Sequence, residues 1–129
     1  MKLGFEKMDG LIPAVIQDDE TKDVLMLGFV DENAVGCTQR SGEVHFFSRS
    51  RKRLWKKGEA SGHVLRVKEI LVDCDADALL IRVEVVGPGV CHEGYRTCFF
   101  RKMESDGTLR VIAEKTFSES EVYGTKEPG

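Results

Sequence analysis

Apolar residues fall in short runs, at 11–16, 24–30, 43–47, 64–72, 79–86, 97–103 and 110–113, separated by turn-forming clusters. Runs of that length, rich in Val, Ile, Leu and Phe and partly alternating with polar positions, predict strands. The polar segment 18–23 between the first two runs and Ser105-Asp106-Gly107-Thr108 between the last two read as hairpin loops, hence antiparallel connections. One stretch has helical punctuation instead: Asp31 as N-cap, Glu32 in the first turn and a stop at Gly42, with Gly36 weakening the middle. The pattern predicts a strand-rich α+β fold, antiparallel sheets around one main helix.

Composition narrows the class. At 129 residues and 41% hydrophobic content the chain suits one domain, 1–117, followed by a polar tail, 118–129. Nineteen basic against 22 acidic residues leave a net charge of -3, which argues against a general polyanion-coating protein and for a basic patch that is local. The longest apolar run, 24–30, is far short of the roughly 20 residues that cross a bilayer. Met1-Lys2-Leu3-Gly4-Phe5-Glu6 has no apolar signal core, so the four cysteines read as thiols rather than disulfides. The expectation is a soluble cytoplasmic protein with no membrane partner.

The segment Asp73-Cys74-Asp75-Ala76-Asp77 separates two apolar runs. If the strand continues through it, Asp73, Asp75 and Asp77 share one face, and Cys74 and Ala76 the other. Carboxylates about 7 Å apart repel, and a hard divalent cation such as Mg²⁺ relieves the repulsion with oxygen ligands. A solvated acidic strand end is the plainer alternative. An EF-hand loop starting at Asp73 fails because Ala78 stands where the sharp turn needs Gly.

Cys91 and Cys98 bracket a loop able to bring both sulfurs to one zinc ion. Cys74 would add a third thiolate, leaving the fourth position to water as in catalytic zinc sites. His92, beside a candidate ligand, has an intrinsic pKa suited to a general base. Against this, there is no Cys-x-x-Cys pair, free cysteines commonly pack in cores, and His92 reads equally as a solvated loop residue. Cys37 on the helix, His45 in a strand and His63 in a Gly-rich turn read as structural.

Six of the nine residues from Arg49 to Lys57 are basic. With Ser48 and Ser50 as hydroxyl donors, Arg49, Arg51 and Lys57 as cations and Trp55 as a stacking surface, the segment could hold a phosphorylated nucleotide. The turn Gly58-Glu59-Ala60-Ser61-Gly62 lets backbone approach a ligand closely, bringing in Glu59 and Ser61. A solvated basic loop or an RNA-binding patch is the competing reading.

Taken together, Gly42-Glu43-Val44-His45-Phe46-Phe47-Ser48-Arg49-Ser50-Arg51, Leu54-Trp55-Lys56-Lys57-Gly58-Glu59, the acidic segment and Cys91-His92-Glu93-Gly94-Tyr95-Arg96-Thr97-Cys98-Phe99 resemble phosphoribosyl-AMP cyclohydrolase, a family of histidine-biosynthesis enzymes. The resemblance runs from about Asp9 to Arg101. It implies hydrolytic opening of an adenine ring between N1 and C6 by a zinc-bound hydroxide. It also implies zinc on Cys74, Cys91 and Cys98, Mg²⁺ on Asp73, Asp75 and Asp77, and proton transfer by His92. Members resemble intertwined homodimers with zinc ligands drawn from both subunits. With few residues after Arg101, the resemblance implies a monofunctional form. Ala60 replaces the family's frequent Thr or Ser, and Ala76 its frequent Gly, a change that a strand tolerates. The alternatives are an RNA-binding module with structural zinc, and a zinc nucleobase deaminase, whose His-x-Glu and Pro-Cys-x-x-Cys pattern is missing here.

Overall fold

The computed structural model describes residues 3–118. The polar tail expected at 118–129 lies, but for Ser118, outside the described residues. Among the described residues, eight strands and one α-helix follow a short 3₁₀ turn at Phe5–Met8. The strands are β1 (Ile12–Asp18), β2 (Val24–Val30), β3 (His45–Ser48), β4 (Arg53–Lys56), β5 (Leu65–Val72), β6 (Leu79–Val85), β7 (Arg101–Met103) and β8 (Leu109–Val111). The helix α1 spans Glu32–Ser41, between β2 and β3.

The main sheet has the order β2-β1-β6-β5. Along β1 burial alternates strictly, with Ile12, Ala14 and Ile16 fully enclosed. β1 pairs antiparallel with β2 through the 18–23 hairpin, and β7 with β8 through the 104–108 turn, as their polar loops predict. β1 and β6, however, run parallel. Parallel pairing needs a long crossover, and the chain from β2 through α1 and the β3–β4 hairpin to β5 supplies it. Periodicity within one strand carries no information about that pairing.

The helix ends where its caps dictate. Asp31 accepts from the Ala34 N–H at 2.8 Å, and Gly42, at φ 75°, donates its N–H to the Thr38 carbonyl. Buried Thr38 donates to the Ala34 carbonyl and accepts the His45 N–H at 2.9 Å, tying α1 to β3. The core joins Ile12, Ile16, Leu25, Phe46, Leu65 and Ile81, each worth roughly 1.5–3 kcal/mol of apolar burial. Gly28 in β2 is required by packing: a Cβ there would lie 2.5 Å from the Phe46 ring.

Two expectations are corrected. Part of the basic segment is the strand β4, in which Trp55 pairs with Phe46 and Lys56 with His45. The acidic segment is not strand: Val72 pairs directly with Leu79, leaving 73–78 as a tight hairpin loop. The alternation that put Cys74 and the aspartates on opposite faces does not exist there. Ala76 adopts φ 61°, a left-handed conformation that favours glycine, so the replacement is not one a strand absorbs.

Candidate active site

After β6 the chain closes on itself. Val90 and Cys91 donate their N–H groups to the carbonyls of Arg96 and Tyr95, each at 3.1 Å, and the Gly94 N–H reaches the Cys91 carbonyl. Gly89 allows this approach, since a Cβ would sit 2.6 Å from Arg96 Cα. The outgoing limb is pinned to β2 by the Cys98 N–H on the Leu25 carbonyl at 2.7 Å and the Thr97 hydroxyl on the Val24 carbonyl at 2.9 Å. The two thiols therefore meet. Cys98 keeps an exposed edge, yet the protein around it and then the adjoining Cys91 push its thiol up to about 12, against a lowering by Lys57. Two thiols crowded in protein surroundings are a donor set suited to a soft or borderline cation, whose charge would replace their protons.

A cleft of about 210 Å³ opens at these thiols, lined by Trp55, Lys57, Glu59, Ser61, His92 and Cys98, among others. Lys57 is buried, with Nζ donating to the Val90 carbonyl at 2.6 Å and lying 5.8 Å from the Trp55 ring centre. Glu59 accepts the Lys56 N–H at 2.8 Å and Ser61 the His63 N–H at 3.1 Å, so both also shape the turn that forms one wall. Behind that wall His63 packs edge-on to Phe117, and its Nδ1 is buried with no hydrogen-bond partner among the described residues.

The other expected contact residues lie in a second hollow of about 490 Å³, which shares Met26 and Trp55 with the first and includes Ser48, Arg49 and Ser50. Arg49 stacks over Phe29 at 4.0 Å, while Ser48 Oγ accepts the Arg51 N–H at 3.2 Å and shapes the β3–β4 turn. Trp55 thus stands between two hollows, and Arg51 lines neither.

In the 73–78 loop, Asp73 accepts the N–H groups of Asp77 and Ala78, which turns the chain. Candidate ligand atoms of Asp73, Asp75 and Asp77 lie within 4.8 Å of one another, tighter than a strand face allows. Lys7, from the 3₁₀ turn, places Nζ 3.2 Å from Asp77 and 3.9 Å from Asp75. The Lys7 hydrogen bond holds the Asp77 carboxyl low, while a bond shared with Asp77 raises that of Asp75. Lys7 is 70 residues from Asp77 in sequence, and no local pattern announces it.

Cys74 does not join the other two thiols within one chain. Its loop starts β6 at Leu79, whereas Cys98 is bonded to β2 at Leu25, two strands away. Two strand spacings alone span about 10 Å, whereas sulfurs on one zinc ion lie at most about 4.6 Å apart. Among the described residues, the aspartates are the one group of three or more candidate ligands mutually in reach.

A concave site gathering a thiol, a histidine, a tryptophan and a buried lysine from separate segments is the construction of a small-molecule enzyme. The profile of the phosphoribosyl-AMP cyclohydrolase family matches residues 26–100. The phosphoribosyl-AMP cyclohydrolase of Solibacter usitatus is 52% identical over 98% of this chain and 99% of its own length. Those of Geotalea uraniireducens and Geobacter sulfurreducens are each 50% identical, over 95% and 94% of this chain and 98% and 96% of their own. The chain belongs to the phosphoribosyl-AMP cyclohydrolase family, and is an enzyme.

Proposed function

We propose that this chain opens the adenine ring of N1-(5-phosphoribosyl)-AMP by hydrolysis between N1 and C6, giving the formimino-carboxamide ribonucleotide of histidine biosynthesis. The observation that carries the reading is the cleft that sets His92 and Cys98 against Trp55, Lys57, Glu59 and Ser61. It offers a stacking surface for a base, fixed positive charge and a proton-transfer group in one hollow. Family membership displaces the RNA-binding and deaminase readings. The single-domain reading, with residues 1–117 as the working unit in the cytoplasm, goes with this proposal; no helix among the described residues is long and apolar enough to cross a membrane.

Cys91 and Cys98, with Cys74, would hold zinc, and Asp73, Asp75 and Asp77 would hold Mg²⁺. When bound, the zinc supplies a water acidic enough to attack C6 near neutral pH. His92 takes the proton from that nucleophile and returns one to N1 as the C6–N1 bond breaks. Trp55 stacks on the purine, while Lys57 contributes positive charge from the cleft floor. Ser48, Arg49, Ser50 and Arg51 extend the contacts toward the phosphates, past Trp55, and Glu59 and Ser61 hold the turn against the ligand.

The separation of Cys74 from Cys91 and Cys98 supports a homodimer whose zinc sites each take Cys74 from one subunit and the other two thiols from its partner. Turnover is followed by ultraviolet absorbance with phosphoribosyl-AMP and zinc-loaded protein. Cys91→Ser and Cys74→Ser are each expected to be inactive. Mixing the two with subunit exchange should restore about a quarter of wild-type activity, because half the dimers are mixed and each has one complete site. An inactive wild type overturns the reaction; unrescued mixtures whose subunits have exchanged overturn the shared site.

A further inference from the structure

We propose that Arg96 is a positioning residue, whose grip on the β1–β2 loop holds Cys91 and Cys98 at the separation that one zinc ion requires. This rests on the zinc reading above. Arg96 lies between the two cysteines in sequence, and its carbonyl accepts the N–H of Val90 next to Cys91. Its guanidinium leaves the thiol loop altogether. Nη2 donates to Asp18 Oδ2 and to the Thr21 hydroxyl at 3.2 Å, and Nη1 donates to Asp23 at 2.8 Å. These partners are 73 to 78 residues away in sequence.

The receiving end is rigid. Asp18 is 8% exposed, and its Oδ1 takes the N–H groups of Glu20 and Thr21 while its main chain closes the hairpin with Lys22 and Asp23. A buried carboxylate so engaged has one orientation, and a guanidinium forked across Asp18 and Asp23 inherits it. The incoming limb is anchored through Lys57 and Val90, and the outgoing limb through Thr97, Cys98 and β2. Between them Arg96 is the side-chain anchor that reaches the β1–β2 loop, while its neighbour Tyr95 stacks on Phe100 at 3.7 Å, close to the loop's left-handed turn at Gly94, φ 98°. Without it the segment between the thiols keeps its own hydrogen bonds, the Tyr95–Phe100 stack and the contacts of Gly94 with Thr116 and Phe117, but loses its tie to the β1–β2 loop. The spacing between the sulfurs then relaxes.

The test titrates the full-length, metal-free protein with Co²⁺, reading the thiolate-to-cobalt charge-transfer band, and with Zn²⁺ against a chromophoric chelator. Arg96→Ala is expected to weaken zinc binding by about ten- to a hundredfold, the range for residues that orient metal ligands. Arg96→Lys, which reaches one carboxylate at a time, and Asp18→Asn should fall between it and wild type. Asp23→Asn, at a side chain 61% exposed, should cost less than about threefold because solvent screens that pair. Far-ultraviolet circular dichroism identifies any variant that fails to fold, in which case Arg96→Lys and Asp18→Asn decide. Folded variants that bind zinc and give the cobalt band as wild type does overturn the positioning role alone. A wild type without a thiolate band overturns the zinc reading and this proposal with it.

Discussion

Lys57 Nζ donates to the Val90 carbonyl across 33 residues of sequence, at 2.6 Å, beneath the thiol loop. A basic residue that composition places in a solvated cluster is thereby a buried anchor lining the site.

Replacing it tests that anchor. Lys57→Met keeps the apolar stem and leaves the buried Val90 carbonyl without its donor, so the urea midpoint should fall by the equivalent of about 1–3 kcal/mol. The Lys57 charge lowers the Cys98 thiol, so the variant's thiols should also react more slowly with a disulfide reagent at pH 8. An unchanged midpoint would show that the bond contributes nothing to the fold.

His63 gives the fold an acid sensitivity. Burial, then the nearby Lys57 charge, hold its ring below the ordinary 6.5. The native state therefore binds fewer protons than the unfolded chain below that pH. The associated stability is complete above about pH 6.5 and declines as pH falls toward the lower native value. Urea midpoints measured between pH 7.5 and 5 should slope less for His63→Gln than for wild type. Parallel slopes would place the acid sensitivity elsewhere.

Lys7 sits on the acidic loop as an organic cation. A divalent ion at Asp73, Asp75 and Asp77 must displace or share with it, so Lys7→Met should bind Mn²⁺ about two- to fivefold more tightly, in keeping with an exposed pair. Electron paramagnetic resonance of free Mn²⁺ measures this directly. Weaker binding by the variant would mean that Lys7 assists the ion instead of competing with it.

The sequence by itself determined the elements whose signals are local: the β1–β2 hairpin around its polar loop, α1 between Asp31 and Gly42, and the strand-rich class. The short block of family-like residues likewise marked the cleft, because Trp55, Lys57 and His92 stand in ordered blocks. Tertiary structure decided what depends on long-range pairing. Val72 meeting Leu79 turned the acidic run from a strand face into a tight loop, and the parallel pairing of β1 with β6 set Cys74 apart from Cys91 and Cys98. Lys7 on Asp77 and Arg96 on Asp18 belong to the same class. Side-chain periodicity reports which way a residue faces within its own element; which distant element it then meets is settled by how the sheet is ordered and packed.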